Sequence, residues 1–255
     1  RAVFERERHA LVTLHPGGQH WYGDAFRDEE WLSVLGYQGG HSNTAACLAW
    51  DACGDPATDW KATPTRPIIN LEPCYEYHVD QGDLSRRLSP FDVRRAVYWS
   101  LLVSPTAGVT YGGHGVWGWD DGVRPPIHHP TTGVPLPWRE ALEMPGAYQM
   151  AHVAELFESI EWWRLVPAPE MVLDQPGREA VGRTVVAARS EQGDLAVVYV
   201  PSEYQVHVAL EGMEPRLSAF WFDPRIGSRS SAAGQAGVFV TPDAKEDYLL
   251  VLARS

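Results

Sequence analysis

The stretch PIINLEPCYE, residues 67–76, decides how the first part of the chain folds. It opens with a continuous apolar run, which is typical of strands in a parallel sheet that is buried on both faces. The run ends in Glu72, and Tyr75 and Glu76 follow closely. We therefore predict a buried strand over residues 67–73 that carries a carboxylate at its C-terminal end.

Three other short apolar runs also end in polar residues, and helical segments separate them. Ser89 is the predicted N-cap of one of these helices, with Pro90 at its first helical position. The alternation of strand, polar loop and helix predicts β/α units with a parallel sheet, and barrel enzymes place their chemistry at the C-terminal ends of such strands. The additional strands are predicted at residues 10–16, 31–38 and 107–112, and the helices at residues 44–53, 90–104 and 138–163.

Beyond residue 172 the pattern changes to short β-type runs, which are separated by Gly, Pro and Asp. This pattern predicts a small all-β sandwich domain over residues 173–255. Residues 1–172 supply about four β/α units, whereas a complete (β/α)₈ barrel takes roughly 250 residues. We therefore expect an α/β domain at residues 1–172 that is a partial TIM-type barrel, closely packed on the β-domain. The β-type runs are residues 183–188, 195–200, 206–210, 219–222, 238–240 and 248–252.

The composition favours a neutral ligand over charged partners. The formal net charge is −12, whereas nucleic-acid binding needs clustered Lys and Arg, so we expect neither a nucleic-acid nor a membrane partner. No run of eighteen apolar residues exists that would span a bilayer. The eleven Trp residues suit either a large core or sugar binding, because a flat indole covers the apolar C–H face of a sugar ring.

The cysteines and the N-terminal residues give fewer indications. Cys47, Cys53 and Cys74 contain no CxxC pair, so we predict buried free thiols rather than a zinc or redox site. We expect no cofactor. Residues 1–8 are charged and lack the apolar region of a signal peptide, so the location is left open between secreted, periplasmic and cytoplasmic.

Glu72 is the strongest catalytic candidate, because a carboxylate at the end of a barrel strand can attack an anomeric carbon. Glycosidases need a second carboxyl group, roughly 5 Å away in retaining enzymes. Glu76 is either that group or a structural partner of Arg94 or Arg95, and we favour the structural role. Weaker candidates for the second carboxylate are Asp24, Asp120 and Asp121.

Histidines and aromatic residues follow several strand ends and predict hydrogen bonds and stacking with a sugar. A metal site built on the histidines is an alternative, although no HxH or HExxH spacing is present. Glycines alternate with aromatic residues in residues 111–120, which allows the backbone to approach a ligand closely. The predicted substrate-binding residues are His15, His41, Tyr75, Glu76, Tyr111, His114, Trp117 and Trp119, and no metal ligand is predicted.

An ordered series of motifs resembles the apiosidase-like proteins of glycoside hydrolase family 140. Near the C-terminus, WFDPRIG at residues 221–227 resembles the small β-domain that follows such barrels and is named for collagen binding. Together the matches extend over nearly the whole chain. The other motifs are residues 15–16, 38–41, 67–76, 93–100, 108–117, 145–150 and 163–167.

This resemblance implies a (β/α)₈ glycosidase that uses two carboxylates and no cofactor, with this chain as the last four β/α units and the β-domain. Glu72 would be the nucleophile. The acid/base of the family is an Asp on an earlier strand, and no residue of this chain matches it. The chain departs from the family at Gly39, where Ser is usual, and at Leu71, where Gly is usual.

We therefore expect a glycoside hydrolase that cleaves a terminal sugar from a glycan. Two alternatives remain open: a non-catalytic carbohydrate-binding protein with an aromatic cleft, and a His-rich metal-dependent hydrolase.

Overall fold

A computed structural model describes residues 10–254 and shows a mixed α/β protein with a sheet-rich C-terminal part. Residues 1–8, which were examined for a signal peptide, lie outside the described residues. No helix in the described part is long and apolar enough to cross a membrane. The α-helices are α1 Gly23–Phe26, α2 Ala45–Cys53, α3 Asp55–Asp59, α4 Pro90–Leu102, α5 Trp138–Ala141 and α6 Pro145–Glu158.

The strands are short in the first part of the chain and longer in the second. They are β1 Leu35–Gln38, β2 Ile68–Glu72, β3 Val79–Asp80, β4 Asp83–Arg87, β5 Val166–Pro167, β6 Val186–Arg189, β7 Leu195–Val200, β8 Gln205–His207, β9 Ser218–Asp223, β10 Ser228–Ser231, β11 Gly234–Gln235, β12 Val238–Val240 and β13 Tyr248–Ala253. Short 3₁₀ turns lie at Pro130–Thr132, Trp162–Arg164, Pro169–Met171, Pro176–Arg178 and Val181–Arg183.

Strands β1 and β2 pair in parallel, as the apolar runs predicted. The other two runs do not form full strands. Residues 107–112 add only a single parallel bridge, between Val109 and Asn70, and Gly108 just before it has a φ of 152°, which is outside strand geometry. In residues 10–16, Leu11 is 83% exposed, so this run is not buried in a sheet within the described structure.

Helix α4 begins as predicted. Ser89 is its N-cap and Pro90 is its first residue, and a capping box joins the side chains and backbone of Ser89 and Asp92. All residues of the helix from Asp92 to Leu102 are buried, because α4 packs against the helices α2 and α6 on one side and the C-terminal sheet on the other.

The C-terminal part contains a six-stranded sheet, ordered β10-β9-β13-β7-β6-β5, and a three-stranded sheet, ordered β11-β12-β8. Side chains alternate across β7: Val197 and Tyr199 pack with α4, whereas Val198 and Val200 pack with the three-stranded sheet. The six-stranded sheet therefore lies between two cores, which explains why every residue of β7 is apolar and buried.

Predicted and observed strands agree best where the runs are apolar. The runs at 183–188, 195–200, 206–210, 219–222, 238–240 and 248–252 correspond to β6, β7, β8, β9, β12 and β13. Strand β10 was not predicted, because its sequence, SRSS, is polar and its four residues are exposed.

A buried ion pair joins the two parts of the chain. The guanidinium of Arg94 on α4 donates to both carboxylate oxygens of Asp247, from Nη2 at 2.6 Å and from Nε at 2.9 Å. Gln149 and Tyr199 complete the hydrogen bonding of this pair. A charged pair is stable inside a protein only when its hydrogen bonds are satisfied in this way.

The three cysteines are free thiols, as predicted, but only two of them are buried. Cys53 is exposed because it is the last residue of α2, where the helix ends at Gly54.

Candidate active site

Glu72 and Gln38 end the two parallel strands side by side. The amide Nε2 of Gln38 donates to Oε1 of Glu72 at 2.8 Å, and the backbone N–H of Gly39 donates to the Glu72 carbonyl at 3.0 Å. A carboxylate only accepts hydrogen bonds, so the amide nitrogen of Gln38 must face it. The strand pairing therefore sets the position of the Glu72 side chain.

His41, in the loop after β1, holds the same oxygen of Glu72. Its Nε2 lies 3.0 Å from Oε1, and its Nδ1 accepts the backbone N–H of Tyr75 at 3.2 Å. Because that N–H can only donate, Nδ1 is the acceptor, which leaves Nε2 to donate to the carboxylate. His41 therefore links Glu72 to the backbone of Tyr75.

The second oxygen of Glu72 faces outward. Its Oε2 lies 3.3 Å from Nε2 of His15, whose side chain is 46% exposed, while the Glu72 side chain is 18% exposed. Burial acts to raise the pKa of Glu72, but the hydrogen bond from His41, the nearby His15 and a hydrogen bond from Tyr75 outweigh it and lower the pKa. The carboxylate is thus ionised and keeps Oε2 on the open side.

The backbone of Glu72 is fixed from below by Asn70. The Asn70 side chain accepts the backbone N–H of Glu72 at 3.1 Å and donates to the hydroxyl of Ser100 on α4 at 3.0 Å. Asn70 is 1% exposed. The strand end is therefore tied to the buried helix α4 by a side-chain hydrogen bond.

Glu76 does not pair with Arg94 or Arg95, contrary to the partners predicted for it. Its Oε2 accepts the Tyr111 hydroxyl at 2.8 Å and the backbone N–H of Gly146 at 2.9 Å. Arg94 is instead held by Asp247. Burial raises the pKa of Glu76 despite the two hydrogen bonds. The predicted residues Glu76, which is buried, and Tyr111, which is half-buried, thus pair with each other.

A row of rings runs from Glu72 toward the surface. His41 stacks on His78 at 4.3 Å between ring centroids, His78 contacts His114 at 5.1 Å, and His114 stacks on Trp117 at 6.4 Å. Burial lowers the pKa of His78 to about 4, and the neighbouring His41 and His114 add to the effect. His78, in the buried part of this row, is therefore uncharged at neutral pH.

Trp117 and Trp119 lie in the loop beyond this row. Trp117 is 41% exposed and Trp119 is 68% exposed. Asp120 and Asp121, two candidates for a second carboxylate, belong to the same loop and line a cavity with these Trp residues. The third candidate, Asp24, lies exposed on α1.

The structure brings four of the predicted site residues together: Glu72, His15, His41 and Tyr75. Within residues 10–254, no group of three or more His, Cys, Asp or Glu side chains has an arrangement that would hold a metal ion.

Sequence reasoning did not select Gln38, Asn70 or His78 as site residues. Gln38 had a usable signal, because it ends β1 as Glu72 ends β2. His78 had none, since only the folded chain places its ring against His41.

The two departures from the family pattern fit their surroundings. A Cβ atom at Gly39 would lie 2.7 Å from Oδ1 of Asp51, and a Cβ atom at Gly36 would lie 2.3 Å from Cδ1 of Leu71. Leu71 thus occupies space that the absent side chain of Gly36 leaves free.

The fold is similar to part of two solved structures of glycoside hydrolases. The crystal structure of a glycoside hydrolase family 5 protein from Bacteroides vulgatus ATCC 8482 has a TM-score of 0.81 and 22% identity, over 97% of this chain and 56% of that one. A second structure, named "Glycoside hydrolase", has a TM-score of 0.82 and 22% identity, over 96% and 57% of the two chains. The chain thus spans little more than half the length of these structures.

Residues 1–164 match the family described as "Apiosidase-like, catalytic domain". The chain therefore belongs to the apiosidase-like family, and the resemblance noted from its motifs is confirmed. Residues 166–253 match the family described as "Putative collagen-binding domain of a collagenase". Among proteins of curated function, none matches the chain significantly.

Proposed function

We propose that this protein is a glycoside hydrolase that releases a terminal sugar from a glycan, with Glu72 as the nucleophile. The observation that carries the proposal is the state of Glu72: an ionised strand-end carboxylate with Oε1 held by Gln38 and His41 and Oε2 on the open side. A nucleophilic carboxylate needs this combination of fixed position and negative charge.

In the proposed reaction, Oε2 of Glu72 attacks the anomeric carbon and forms a glycosyl ester, while the bond to the leaving-group oxygen breaks. A second carboxyl group gives its proton to that oxygen. The same group then takes a proton from water, which attacks the anomeric carbon, releases the sugar and restores the Glu72 carboxylate.

The donors around Glu72 have defined tasks in this scheme. Gln38, His41 and Tyr75 stabilise the carboxylate in the free enzyme and orient it toward the sugar. His15, which is partly exposed beside Oε2, would hydrogen-bond a hydroxyl of the bound sugar. None of these contacts supplies the second carboxyl group, and its identity as an Asp absent from this chain stays a prediction.

We also propose that residues 1–172 are part of a (β/α)₈ barrel, followed by the β-domain at residues 173–255. Parallel pairing of β1 with β2, and the clustering of polar side chains at their C-terminal ends, support this arrangement. Strand β5 pairs with β6, so the join between the two parts lies close to residues 164–172.

The test is mechanism-based labelling of the full-length protein. A panel of 4-nitrophenyl furanosides and pyranosides identifies the sugar, and the matching 2-deoxy-2-fluoro glycoside should add one glycosyl group to the peptide containing Glu72. Glu72→Gln should lose labelling and at least about 10⁴-fold in turnover, as is common for catalytic nucleophiles. Glu140→Gln, at an exposed position on α5, is the control.

Labelling of another carboxylate, or full turnover by Glu72→Gln, would overturn the assignment. Glycan binding without hydrolysis would instead favour the carbohydrate-binding alternative. Loss of activity in EDTA together with stoichiometric metal would favour the metal-dependent hydrolase.

A further inference from the structure

The loop at residues 115–127 lines an open cavity of about 320 Å³ that the proposed reaction does not use. Trp117 and Trp119 form its aromatic wall, and Asp120, Asp121 and Arg124 supply polar groups. Concave sites of this kind, with flat apolar walls and a few polar groups, are typical of ligand-binding surfaces.

Trp119 is held in an unfavourable backbone conformation although most of its surface is exposed. Its φ is 51°, in the left-handed region, which is uncommon for a bulky residue. Hydrogen bonds from Trp119 N–H to the Val116 carbonyl and from Asp120 N–H to the Gly115 carbonyl maintain this turn. The ring packs edge-on against Trp138, at 5.0 Å between ring centroids, but the residue is still 68% exposed, so burial compensates for the strain only in part.

One polar atom of the cavity lacks a hydrogen-bond partner among the described residues. It is Oδ2 of Asp120, which is buried. An unsatisfied carboxylate oxygen next to an aromatic wall suits a hydroxyl donor. Two Asp side chains against one Arg leave the cavity without the excess positive charge that an acidic sugar would need.

The cavity adjoins the row of rings that begins at His41 beside Glu72. Trp117 forms one wall of it and also stacks on His114, the last histidine of the row that begins at His41 beside Glu72. Because His78 and His114 are buried, a glycan with one sugar at Glu72 would have to pass over this row to reach Trp119.

We propose that this loop is a second sugar-binding subsite, in which Trp119 stacks on a neutral sugar unit of the glycan and Asp120 accepts one of its hydroxyl groups. The inference rests on the proposed function for the identity of the ligand as a glycan. It adds a binding position remote from the bond that is cleaved, and so makes Trp119 a determinant of preference for longer substrates.

The experiment measures binding without hydrolysis. The Glu72→Gln variant of the full-length protein is applied to an array of neutral and acidic plant and bacterial oligosaccharides, and the affinity for the neutral glycans bound is then determined by calorimetry. Adding Trp119→Ala should weaken this binding at least about tenfold, because the stacking surface is lost. Trp163→Ala is the matched control, since Trp163 is 63% exposed but lies outside the loop.

A second measurement separates the subsite from catalysis. In the otherwise wild-type protein, Trp119→Ala should lower kcat/KM for oligosaccharides much more than kcat/KM for a small 4-nitrophenyl glycoside, whereas Trp163→Ala should leave both unchanged. Equal affinity with and without Trp119, binding restricted to acidic glycans, or no glycan binding would overturn the subsite. Failure of Glu72 labelling would overturn the proposed mechanism while leaving the binding result intact.

Discussion

His41 donates from Nε2 to Oε1 of Glu72 at 3.0 Å while its Nδ1 accepts the backbone N–H of Tyr75. Both ring nitrogens of His41 therefore have partners, one in the Glu72 carboxylate and one in the Tyr75 backbone. The pair thus stabilises an anionic Glu72.

Replacing His41 should therefore shift the pH dependence of the proposed activity. The pKa of Glu72 is lowered partly by this hydrogen bond, and His41→Phe should raise it, moving the acidic limb of kcat/KM to higher pH. Loss of a hydrogen bond to a charged group should also cost roughly 10- to 100-fold in kcat/KM. His20→Phe, at an exposed position, is the control. An unmoved acidic limb would contradict this account of His41.

The buried side chain of Glu76 packs so closely against position 146 that only glycine fits there. A Cβ atom at this position would lie 2.2 Å from Oε2 of Glu76, the oxygen that accepts the Gly146 N–H and the Tyr111 hydroxyl. We expect Gly146→Ala to lower the free energy of unfolding by about 1–3 kcal/mol, because it overpacks this contact. Urea unfolding checks this, with Gly18→Ala as control, since the atoms nearest to a Cβ there are 3.9 Å away. Equal stability of both variants would show that Glu76 moves freely.

The Arg94–Asp247 pair should stabilise the folded protein much more than a surface ion pair does. Both side chains are buried, so Arg94→Met leaves an unpaired carboxylate and should cost about 3–5 kcal/mol in urea unfolding. Arg254→Met breaks the more exposed contact with Glu214 and should lower the stability much less, because solvent screens that pair. Similar losses in the two variants would mean that Arg94 gains little from burial with its partner.

Asp51 should make the stability of the folded protein depend on pH. It lies buried on α2, its Oδ1 has no hydrogen-bond partner among the described residues, and burial raises its pKa to about 7, against the opposing charge of Arg95. A raised folded-state pKa means that stability is complete below the ordinary carboxyl pKa and falls as the pH rises through about 7.

Between pH 5.5 and 8.5, ionisation of Asp51 should thus lower the free energy of unfolding of the wild type by on the order of 2 kcal/mol. Asp51→Asn should largely remove this pH dependence. Asp28→Asn, on the exposed surface, should keep the wild-type pH dependence. The same slope for Asp51→Asn and the wild type in urea unfolding would refute the role of Asp51.

Local sequence signals predicted much of the fold. The apolar run ending in Glu72 became β2, Ser89 and Pro90 began α4, and the apolar β-runs became strands. The predictions were wrong for segments whose pairing depends on distant partners. Residues 10–16, for example, form no buried strand.

The candidate site was only partly predictable for the same reason. Glu72 and its neighbour Tyr75 are close in sequence, whereas Gln38, His41 and His15 reach Glu72 through strand pairing and loop packing. The partner of Glu76 was wrongly predicted, because Arg94 satisfies Asp247, which is 153 residues away.

The position of α4 between the first part of the chain and the six-stranded sheet has a consequence for how such proteins evolve and are engineered. The C-terminal part cannot be replaced independently of the rest of the chain, because its sheet forms one side of the core around α4. This helix anchors Asn70, which in turn holds Glu72. Grafting a different C-terminal module onto this protein should therefore succeed only if the new module also reproduces the surface that covers α4.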